Sequence, residues 1–280
     1  MRCLWLTWID PKPEHDGQRI YSGRLIDAVA AAGAGIDVLC FSSDGSSRRT
    51  GTVESNVTWW PVAAQFRPHW ASVLSPLPNI AYRCDTRDKR QALMNLLSEP
   101  AWDAIVLDGL YTGWALPHID RFFPGGGHRP LVVYVAHNHE ESTRAGIARD
   151  YSGNPVTRAL LRHDATKVRR TERRMVDRAD LVTAITEEDA ALFAERRPDK
   201  RLIVLPPGYA GRRVARRTIT ASLPRRVILV GSFGWFAKRM NIWRQAYKYW
   251  GEIPGCFFGV FMCGDRKHAG RAVRGARRYP

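Results

Sequence analysis

Seven short apolar runs, separated by polar segments, divide the first two-thirds of the chain. They span Cys3–Ile9, Ile36–Phe41, Val57–Val62, Ala104–Leu107, Leu131–Ala136, Leu181–Ile185 and Leu202–Leu205. The runs are continuous, whereas a strand with one face in water alternates apolar and polar residues. Continuous runs are typical of parallel strands that helices cover on both faces. The pattern therefore predicts an α/β domain with a central parallel sheet.

The segments between these runs carry helix signals. Apolar positions recur at helical spacing between residues 21 and 32, and glycines follow at 33 and 35. Asn154–Asp180 is predicted to be one long, arginine-rich helix. Its buried stripe is predicted to consist of Leu160, Leu161, Val168 and Met175. Thr186, followed by three acidic residues, predicts another helix start. The alternation of strands and helices predicts a doubly wound domain over residues 1–208.

Residues 209–280 follow a different pattern. The segment 209–224 is rich in Gly, Arg and Thr and is predicted to be a linker. Arg226–Phe233 restarts the strand pattern, a helix is expected near Asn241–Trp250, and a strand at Cys256–Cys263. After Gly264 no apolar period remains. We expect residues 225–280 to be an incomplete second α/β domain that ends in a basic tail.

Positive charge is concentrated in the same region. Residues 201–280 hold 17 Lys and Arg against 2 acidic residues, a net +15 of the whole chain's +16. The first 200 residues are balanced, with 26 basic and 25 acidic side chains. The excess charge favours contact between the tail and anionic partners.

Cysteine usage and the amino-terminal sequence bear on the compartment. The five cysteines are odd in number and form no CxxC pair, which argues against a disulfide framework and a thiolate zinc site. The first eleven residues lack a long apolar segment with a cleavage site, and no apolar run is long enough to cross a bilayer. We therefore expect a cytoplasmic protein with reduced thiols.

Two residues follow predicted strands at the edge where ligands bind open α/β sheets. Gly17 follows the first strand, and it either lets the backbone approach a ligand or simply forms a turn. His137 follows the fifth, and it either reaches a ligand or hydrogen-bonds the loop backbone. His137 and His139 with the adjacent glutamates are also a candidate metal cluster. Neither a third histidine nor an acidic motif completes that cluster, so no metal site is predicted.

Four segments, in this order, resemble a known family. They are Trp8–Pro11 with the loop to Gly17, Val133–Glu140 with Arg144, Glu172–Thr186 leading to Pro206–Gly208, and Gly231–Trp235 with Lys238 and Asn241. On these segments the chain is similar to family-4-type glycosyltransferases of the GT-B fold, over roughly residues 1–245. The resemblance implies a Rossmann-like acceptor-binding domain followed by a Rossmann-like donor-binding domain.

The same resemblance implies roles for individual residues. His137 would contact the transferred sugar as the catalytic residue. The implied substrate-binding residues are Asp16, Gly17, Asn138, Glu140 and Arg144, and the implied donor-phosphate-binding residues are Gly231 and Lys238. For Lys238, the alternative is that it merely faces solvent with Arg239. No cofactor or metal is expected, because a helix N-terminus and basic side chains neutralise the leaving diphosphate in such enzymes.

The resemblance also implies the partners. They are a nucleotide-sugar donor and a glycan or lipid-linked acceptor, in cell-envelope or polysaccharide biosynthesis. Peripheral contact with an anionic membrane surface at the inner face is a further expectation, and specific nucleic-acid binding is not expected.

The donor half departs from the family pattern. Ser232 stands where relatives often carry arginine, and no glutamate pair that would grip a nucleotide ribose follows Glu252. We therefore expect the chain to be incomplete and without measurable transfer activity. The Gly- and Arg-rich tail has the composition of an out-of-register reading of a GC-rich gene, which is a hypothesis.

An alternative function stays open at this point. The acceptor half would serve as a non-catalytic binding protein, and the basic tail would contact phosphate-rich partners. Trp235, Trp243, Tyr247 and Trp250 lie beside basic residues, where they would either stack on bases or form a small core. Phosphate-driven binding weakens steeply with salt, which separates the two functions.

Overall fold

The computed structural model of the protein describes residues 1–14, 16–42, 56–99, 102–124 and 129–208, together with the backbone of two strands at 226–231 and 257–262. The chain forms two compact units. One consists of Met1–Glu14 and Gln18–Pro207, and the other of His15–Gly17 and Gly208–Pro280.

A seven-stranded parallel sheet forms the centre of the first unit. Its strands are β1 (Arg2–Ile9), β2 (Gly35–Phe41), β3 (Val57–Val62), β4 (Ala104–Asp108), β5 (Leu131–Val135), β6 (Leu181–Ala184) and β7 (Arg201–Val204). They lie in the order β3-β2-β1-β4-β5-β6-β7, and every neighbouring pair is parallel. The order reverses between β1 and β4, which is the doubly wound arrangement. The predicted fold class is confirmed.

Seven described α-helices and two 3₁₀ helices connect the strands. The α-helices are α1 (Gly17–Ala31), α2 (Asn79–Cys84), α3 (Arg87–Leu97), α4 (Leu116–Phe122), α5 (Glu140–Asp150), α6 (Pro155–Arg178) and α7 (Glu187–Arg196). The 3₁₀ helices span His69–Leu74 and Leu110–Thr112. None of the helices in the described ranges is long and apolar enough to cross a membrane.

Local caps set the starts of the two helices that the sequence predicted most directly. The side chain of Asn154 accepts a hydrogen bond from the backbone of Val156, and Pro155 occupies the first turn of α6. The Thr186 hydroxyl accepts from the backbone N–H of Asp189 at 3.1 Å and caps α7. Both predicted helices are therefore present.

Burial on both faces of the sheet explains the continuous apolar runs. Along β1, Leu4 and Leu6 belong to one buried cluster, whereas Cys3 and Trp5 belong to the other. Because successive side chains of a strand point to opposite faces, each face has its own core. A strand in this position has no face on which a polar residue would be exposed.

The predicted buried stripe of α6 is correct only in the second half of the helix. Val168 and Met175 are fully buried, but Leu160 is 45% exposed and Leu161 is half-buried. The buried residues of α6 lie between Lys167 and Val176. The first half of the helix lines a cavity, so the prediction for Leu160 is wrong.

The second unit contains a parallel pair of described strands, β8 (Arg226–Gly231) and β9 (Phe257–Met262). They coincide with the two strands predicted there. The predicted linker at 209–224 lies outside the described residues, as does the helix expected near Asn241–Trp250. The proposed domain boundaries stay a prediction.

Candidate active site

The carboxyl ends of β1, β4 and β5 meet where the strand order reverses. In open α/β sheets the crevice at this point is the usual ligand site, because the flanking loops diverge to opposite faces. β4 ends at Asp108, and His137 lies two residues beyond the end of β5. The topology thus brings together two chemically capable side chains from separate strands.

His137 and Asp108 form a hydrogen-bonded pair. Nε2 of His137 is 2.6 Å from Oδ1 of Asp108, and the indole N–H of Trp5 donates to Oδ2 at 3.0 Å. The Asp108 side chain is completely buried, whereas that of His137 is 12% exposed. Burial by itself raises the pKa of Asp108, but the hydrogen bonds from His137 and Trp5 more than offset it, and the pKa lies below its ordinary value. Asp108 is therefore an ionised carboxylate.

The pairing fixes the orientation of the imidazole. An ionised carboxylate accepts only, so Nε2 of His137 carries the proton that is donated to Asp108. No described residue forms a hydrogen bond with Nδ1. In the neutral ring Nδ1 is an acceptor, and it is the atom available to a ligand hydroxyl.

Two neutral aromatic rings surround His137. Tyr21 on α1 meets it edge-on with ring centroids 5.5 Å apart, and Tyr111 does so at 6.1 Å. Burial, assisted by the negative charge of Asp108, raises the pKa of Tyr21 to about 12. Burial likewise raises the pKa of Tyr111 well above its ordinary value. Neither phenol ionises near neutral pH, and the two rings limit the access of water to the imidazole.

Asn138, Glu140 and Arg144 form a second polar group on the same loop and helix. Asn138 donates to Oε1 of Glu140 at 3.2 Å, and Nε of Arg144 donates to Oε2 at 3.0 Å. Both carboxylate oxygens of Glu140 are therefore engaged within the protein. Arg144 also lines a cavity of about 630 Å³ in the first unit.

A buried carboxylate from α6 holds the start of α5. Oε1 of Glu172 accepts the Glu140 backbone N–H at 3.0 Å and the Tyr134 hydroxyl at 3.1 Å, and Oε2 accepts the Glu141 N–H at 2.6 Å. Glu172 is 1% exposed. Burial raises the pKa of Glu172 to about 7, although the two backbone N–H groups act in the opposite direction. This contact fixes the helix that follows the His137 loop.

His139 has a structural position. Its Nδ1 accepts from the backbone N–H of Ser142 at 3.3 Å as the N-cap of α5, and its ring packs edge-on against Phe193 with centroids 4.8 Å apart. His137 and His139 thus have separate partners. Across the part of the chain that the structure describes, no three His, Cys, Asp or Glu side chains lie close enough together to hold a metal ion.

The remaining predicted site residues lie at or beyond the limits of the first unit. Asp16 precedes α1, and Gly17 is its first residue. A Cβ built on Gly17 would meet no described atom within 4 Å, so packing does not require glycine there. Gly231 is the last residue of β8, and Lys238 lies outside the described residues.

A buried lysine fixes the end of β1. The ammonium of Lys89 donates to the carbonyls of Thr7 at 2.9 Å and Trp8 at 3.2 Å, and it lies 4.0 Å from the centroid of the Phe41 ring. Burial lowers the pKa of Lys89 to about 8. The contact ties α3 to the strand end that leads into the Gly17 loop.

The cavity of about 630 Å³ lies in the same unit, and Trp8, which lines it, packs against Tyr111 with ring centroids 6.0 Å apart. Trp8 of β1, Gln18 of α1 and Arg144 of α5 line it on the side of the sheet. The 3₁₀ helix His69–Leu74, α2 and the first half of α6 supply the other walls. Its size is typical of small-molecule sites.

A family model supplies the identification. The model of the glycosyl transferase 4-like domain matches residues 16–208, which is more than half of the chain. The chain belongs to the glycosyl transferase 4-like family. The matched residues include α1, the sheet from β2 to β7 and the whole His137 loop.

Solved glycosyltransferase structures share the fold. Sucrose-phosphate synthase from Thermosynechococcus elongatus matches with a TM-score of 0.62 and 16% identity, over 96% of this chain and 64% of that chain. The catalytic domain of starch synthase IV from Arabidopsis thaliana, bound to ADP and acarbose, matches with a TM-score of 0.50 and 13% identity, over 93% of this chain and 68% of that chain. At these identities the similarity shows the fold alone. This chain thus spans 64% of the length of the sucrose-phosphate synthase chain. No curated protein sequence matches the chain.

Within this glycosyl transferase 4-like chain, sequence reasoning assigned no role to three buried polar residues of the first unit, one of which contacts His137. They are Asp108, Lys89 and Glu172. Asp108 ends the run AIVLD, and a carboxylate that directly follows a buried strand is a signal that could have identified it. Lys89 and Glu172 lie on helices rich in charged residues, where nothing in the sequence separates a buried charge from a solvated one.

The arrangement in this family member has two chemical capacities. An imidazole fixed by a buried carboxylate can accept a hydrogen bond or a proton from a hydroxyl group that reaches Nδ1. The guanidinium of Arg144, beside the cavity, can attract an anionic group. Both groups lie on the β5–α5 connection, which Glu172 fixes at its helix start.

Proposed function

We propose that the chain takes part in sugar transfer from a nucleotide-sugar donor to a glycan or lipid-linked acceptor, in cell-envelope or polysaccharide biosynthesis. The first unit binds the acceptor and the second binds the donor. The observation that carries the proposal is the His137–Asp108 pair at the reversal of the strand order, and a cavity of ligand size in the same unit supports it. Family membership supports the reaction class.

In this proposal His137 contacts the sugar during transfer through Nδ1. Asp108 is a positioning residue that keeps the proton on Nε2 and the ring in place. Such a contact contributes to catalysis when it strengthens as charge develops in the transition state. No covalent intermediate with the protein is required by this arrangement.

The other site residues divide into substrate contacts and supports. Asp16 and Gly17 border the ligand beside α1, and Asn138 and Arg144 contact the acceptor. Both carboxylate oxygens of Glu140 are engaged, so we assign Glu140 to holding Asn138 and Arg144 in place.

Gly231 and Lys238 contact the donor diphosphate in this proposal. The positive charge of Lys238 and the backbone beside Gly231 stabilise the leaving group without a metal ion or cofactor. A cytoplasmic location with contact to the anionic inner membrane face is part of the same proposal.

The test combines binding with turnover. The full chain is titrated with a panel of nucleotide sugars, and nucleoside diphosphate release is followed with lipid and glycan acceptors. Saturable binding with acceptor-dependent release supports sugar transfer and shows that the expected inactivity of the 280-residue chain is wrong. Binding without release supports a donor site and the expected inactivity. Absence of both contradicts the proposed function.

A further inference from the structure

The cavity of about 630 Å³ is apolar along most of its wall. Trp8, Phe66 and Ile80 line its inner side, and Trp70 and Leu160 line its outer side. Trp70 is 76% exposed and Leu160 is 45% exposed, so apolar surface continues to the cavity mouth. Large exposed apolar side chains around a concave site are typical of contact with an apolar ligand.

The polar side chains in the same walls are occupied by structural contacts. The Lys167 ammonium donates to the carbonyls of Ser72 at 2.7 Å and Ser75 at 3.2 Å, which ties α6 to the 3₁₀ helix His69–Leu74. Asp164 accepts the backbone N–H of Asn79 at 2.7 Å and thereby ties α6 to α2. These groups hold the cavity open, and they are engaged before any sugar hydroxyl could use them.

Arg83 differs from Lys167 and Asp164 among the polar lining residues. Its guanidinium lies 5.0 Å from the centroid of the Phe66 ring, and its Nε is buried without a hydrogen-bond partner in the described part of the chain. A buried unpaired N–H of a cation is costly to maintain. Because Arg83 lines the cavity, an anion held there can pair with its guanidinium.

A series of packed aromatic rings connects the cavity wall to His137. Phe66 packs against Trp8 with centroids 6.3 Å apart, Trp8 against Tyr111 at 6.0 Å, and Tyr111 against His137 at 6.1 Å. Trp8, together with Gln18 and Arg144, belongs to the elements that also surround His137. A molecule that packs against Trp8 in the cavity is therefore separated from His137 by the rings of Trp8 and Tyr111.

We infer that this cavity binds an amphipathic acceptor, whose apolar chain or ring system packs against Trp8, Phe66 and Ile80 and whose anionic group pairs with Arg83. This inference rests on the proposed sugar transfer and narrows its acceptor class. A plain glycan is a poorer match, because Lys167, Asp164 and Asn79 are already hydrogen-bonded within the protein. Phosphate and carboxylate share the anion chemistry, and the experiment separates them.

The experiment measures equilibrium binding to the full chain by calorimetry and by tryptophan fluorescence, with monomeric probes. The probes are decyl phosphate, decanoate, decyl glucoside and maltotriose. We expect saturable binding of decyl phosphate or decanoate, with weaker binding of decyl glucoside and none of maltotriose. Affinity should rise about fourfold for each added methylene, as burial of a CH₂ group predicts.

Three variants locate the site. Arg83→Gln should weaken decyl phosphate about ten- to a hundredfold, the range for a charge-assisted hydrogen bond, and leave decyl glucoside unchanged. Arg87→Gln removes the same charge from an exposed position outside the cavity, and it should have no effect. Ile80→Trp should fill the cavity and abolish the binding of both decyl phosphate and decyl glucoside. Leu160→Glu, at an exposed position, repeats that test without disturbing the core.

Several results would overturn the inference. The first is tighter binding of maltotriose than of every amphiphile. The second is equal binding of decyl phosphate to the wild type and to Arg83→Gln. The third is binding of decyl phosphate that Leu160→Glu and Ile80→Trp leave unchanged. Nucleotide-sugar binding is measured on the same samples. Its absence alongside retained decyl phosphate binding contradicts the proposed function and leaves the ligand preference of the cavity standing.

Discussion

Glu172 should make the stability of the protein depend on pH in a direction opposite to that of most carboxylates. Its folded pKa of about 7 lies above the ordinary value of 4.5. Between these values the folded state holds more protons than the unfolded state, so stability falls as pH rises from 4.5 to 7. The full difference is roughly 3 kcal/mol, of which about 2–3 kcal/mol falls between pH 5 and pH 8.

Glu172→Gln isolates this contribution. Gln is a neutral isostere that still accepts a backbone N–H from Glu140 or Glu141 and can donate to the Tyr134 hydroxyl oxygen. Urea unfolding at pH 5, 6, 7 and 8 gives the free energy of unfolding of each protein. Relative to the wild type, the variant should gain roughly 2–3 kcal/mol between pH 5 and pH 8.

Glu141→Gln is the matched control. Burial alone would raise the pKa of Glu141, but the hydrogen bond and charge of Arg173 lower it below its ordinary value. Its stabilising contribution is lost only below about pH 4.5, outside the measured range. The free energy of unfolding of Glu141→Gln should therefore differ from that of the wild type by the same amount at pH 5 and pH 8. A Glu172→Gln difference that is equally constant would show that Glu172 is ionised throughout, and the reasoning would be wrong.

Three further substitutions test the geometry of the site. Asp108→Asn should leave the circular dichroism spectrum unchanged. It should weaken nucleotide-sugar binding at least about tenfold in calorimetry, because His137 loses a charge-assisted hydrogen bond. Unchanged affinity would show that Asp108 does not belong to the site. Gly109→Ala should lower the urea midpoint for two reasons. A φ of 88° costs about 1–2 kcal/mol for a residue with a Cβ, and the added Cβ would lie 2.6 Å from the Tyr111 ring. A midpoint equal to that of the wild type would contradict this. Gly17→Ala should keep or raise the free energy of unfolding, by up to about 0.5–1 kcal/mol, and weaken substrate binding; unchanged affinity for donor and acceptor would mean that Gly17 only forms a turn.

The fold could be predicted because each strand is buried on both faces. Leu4 and Leu6 on one side of β1 and Cys3 and Trp5 on the other make residues 3–6 an unbroken apolar run. The long helix α6 was similarly evident from Asn154 and its length. Residues 63–103 gave no predicted element. α2 has only six residues, too few for a helical period to show, and the buried positions of α3 include a lysine.

The site could be predicted only in part because its pairs form across the sheet. Asp108 and His137 are 29 positions apart in the sequence, so their spacing does not predict a contact. They meet only because β4 and β5 are neighbours in the sheet. The predicted strand ended at Leu107, so the carboxylate at its edge was not considered. Arg83 was missed for another reason: its importance depends on an unpaired Nε, which no pattern of residue types reveals.

The most direct test of the central claim is the salt dependence of nucleotide-sugar binding to the full chain. Calorimetric titrations of the donor panel are run at about 50 and 200 mM salt. Sugar transfer predicts one preferred nucleotide sugar, bound at a single site, with an affinity that changes by less than about tenfold between the two conditions. Absence of any preferred donor, with binding that nucleoside diphosphates and unrelated polyanions share and that falls by about a thousandfold or more, would contradict sugar transfer and favour a basic phosphate-binding protein.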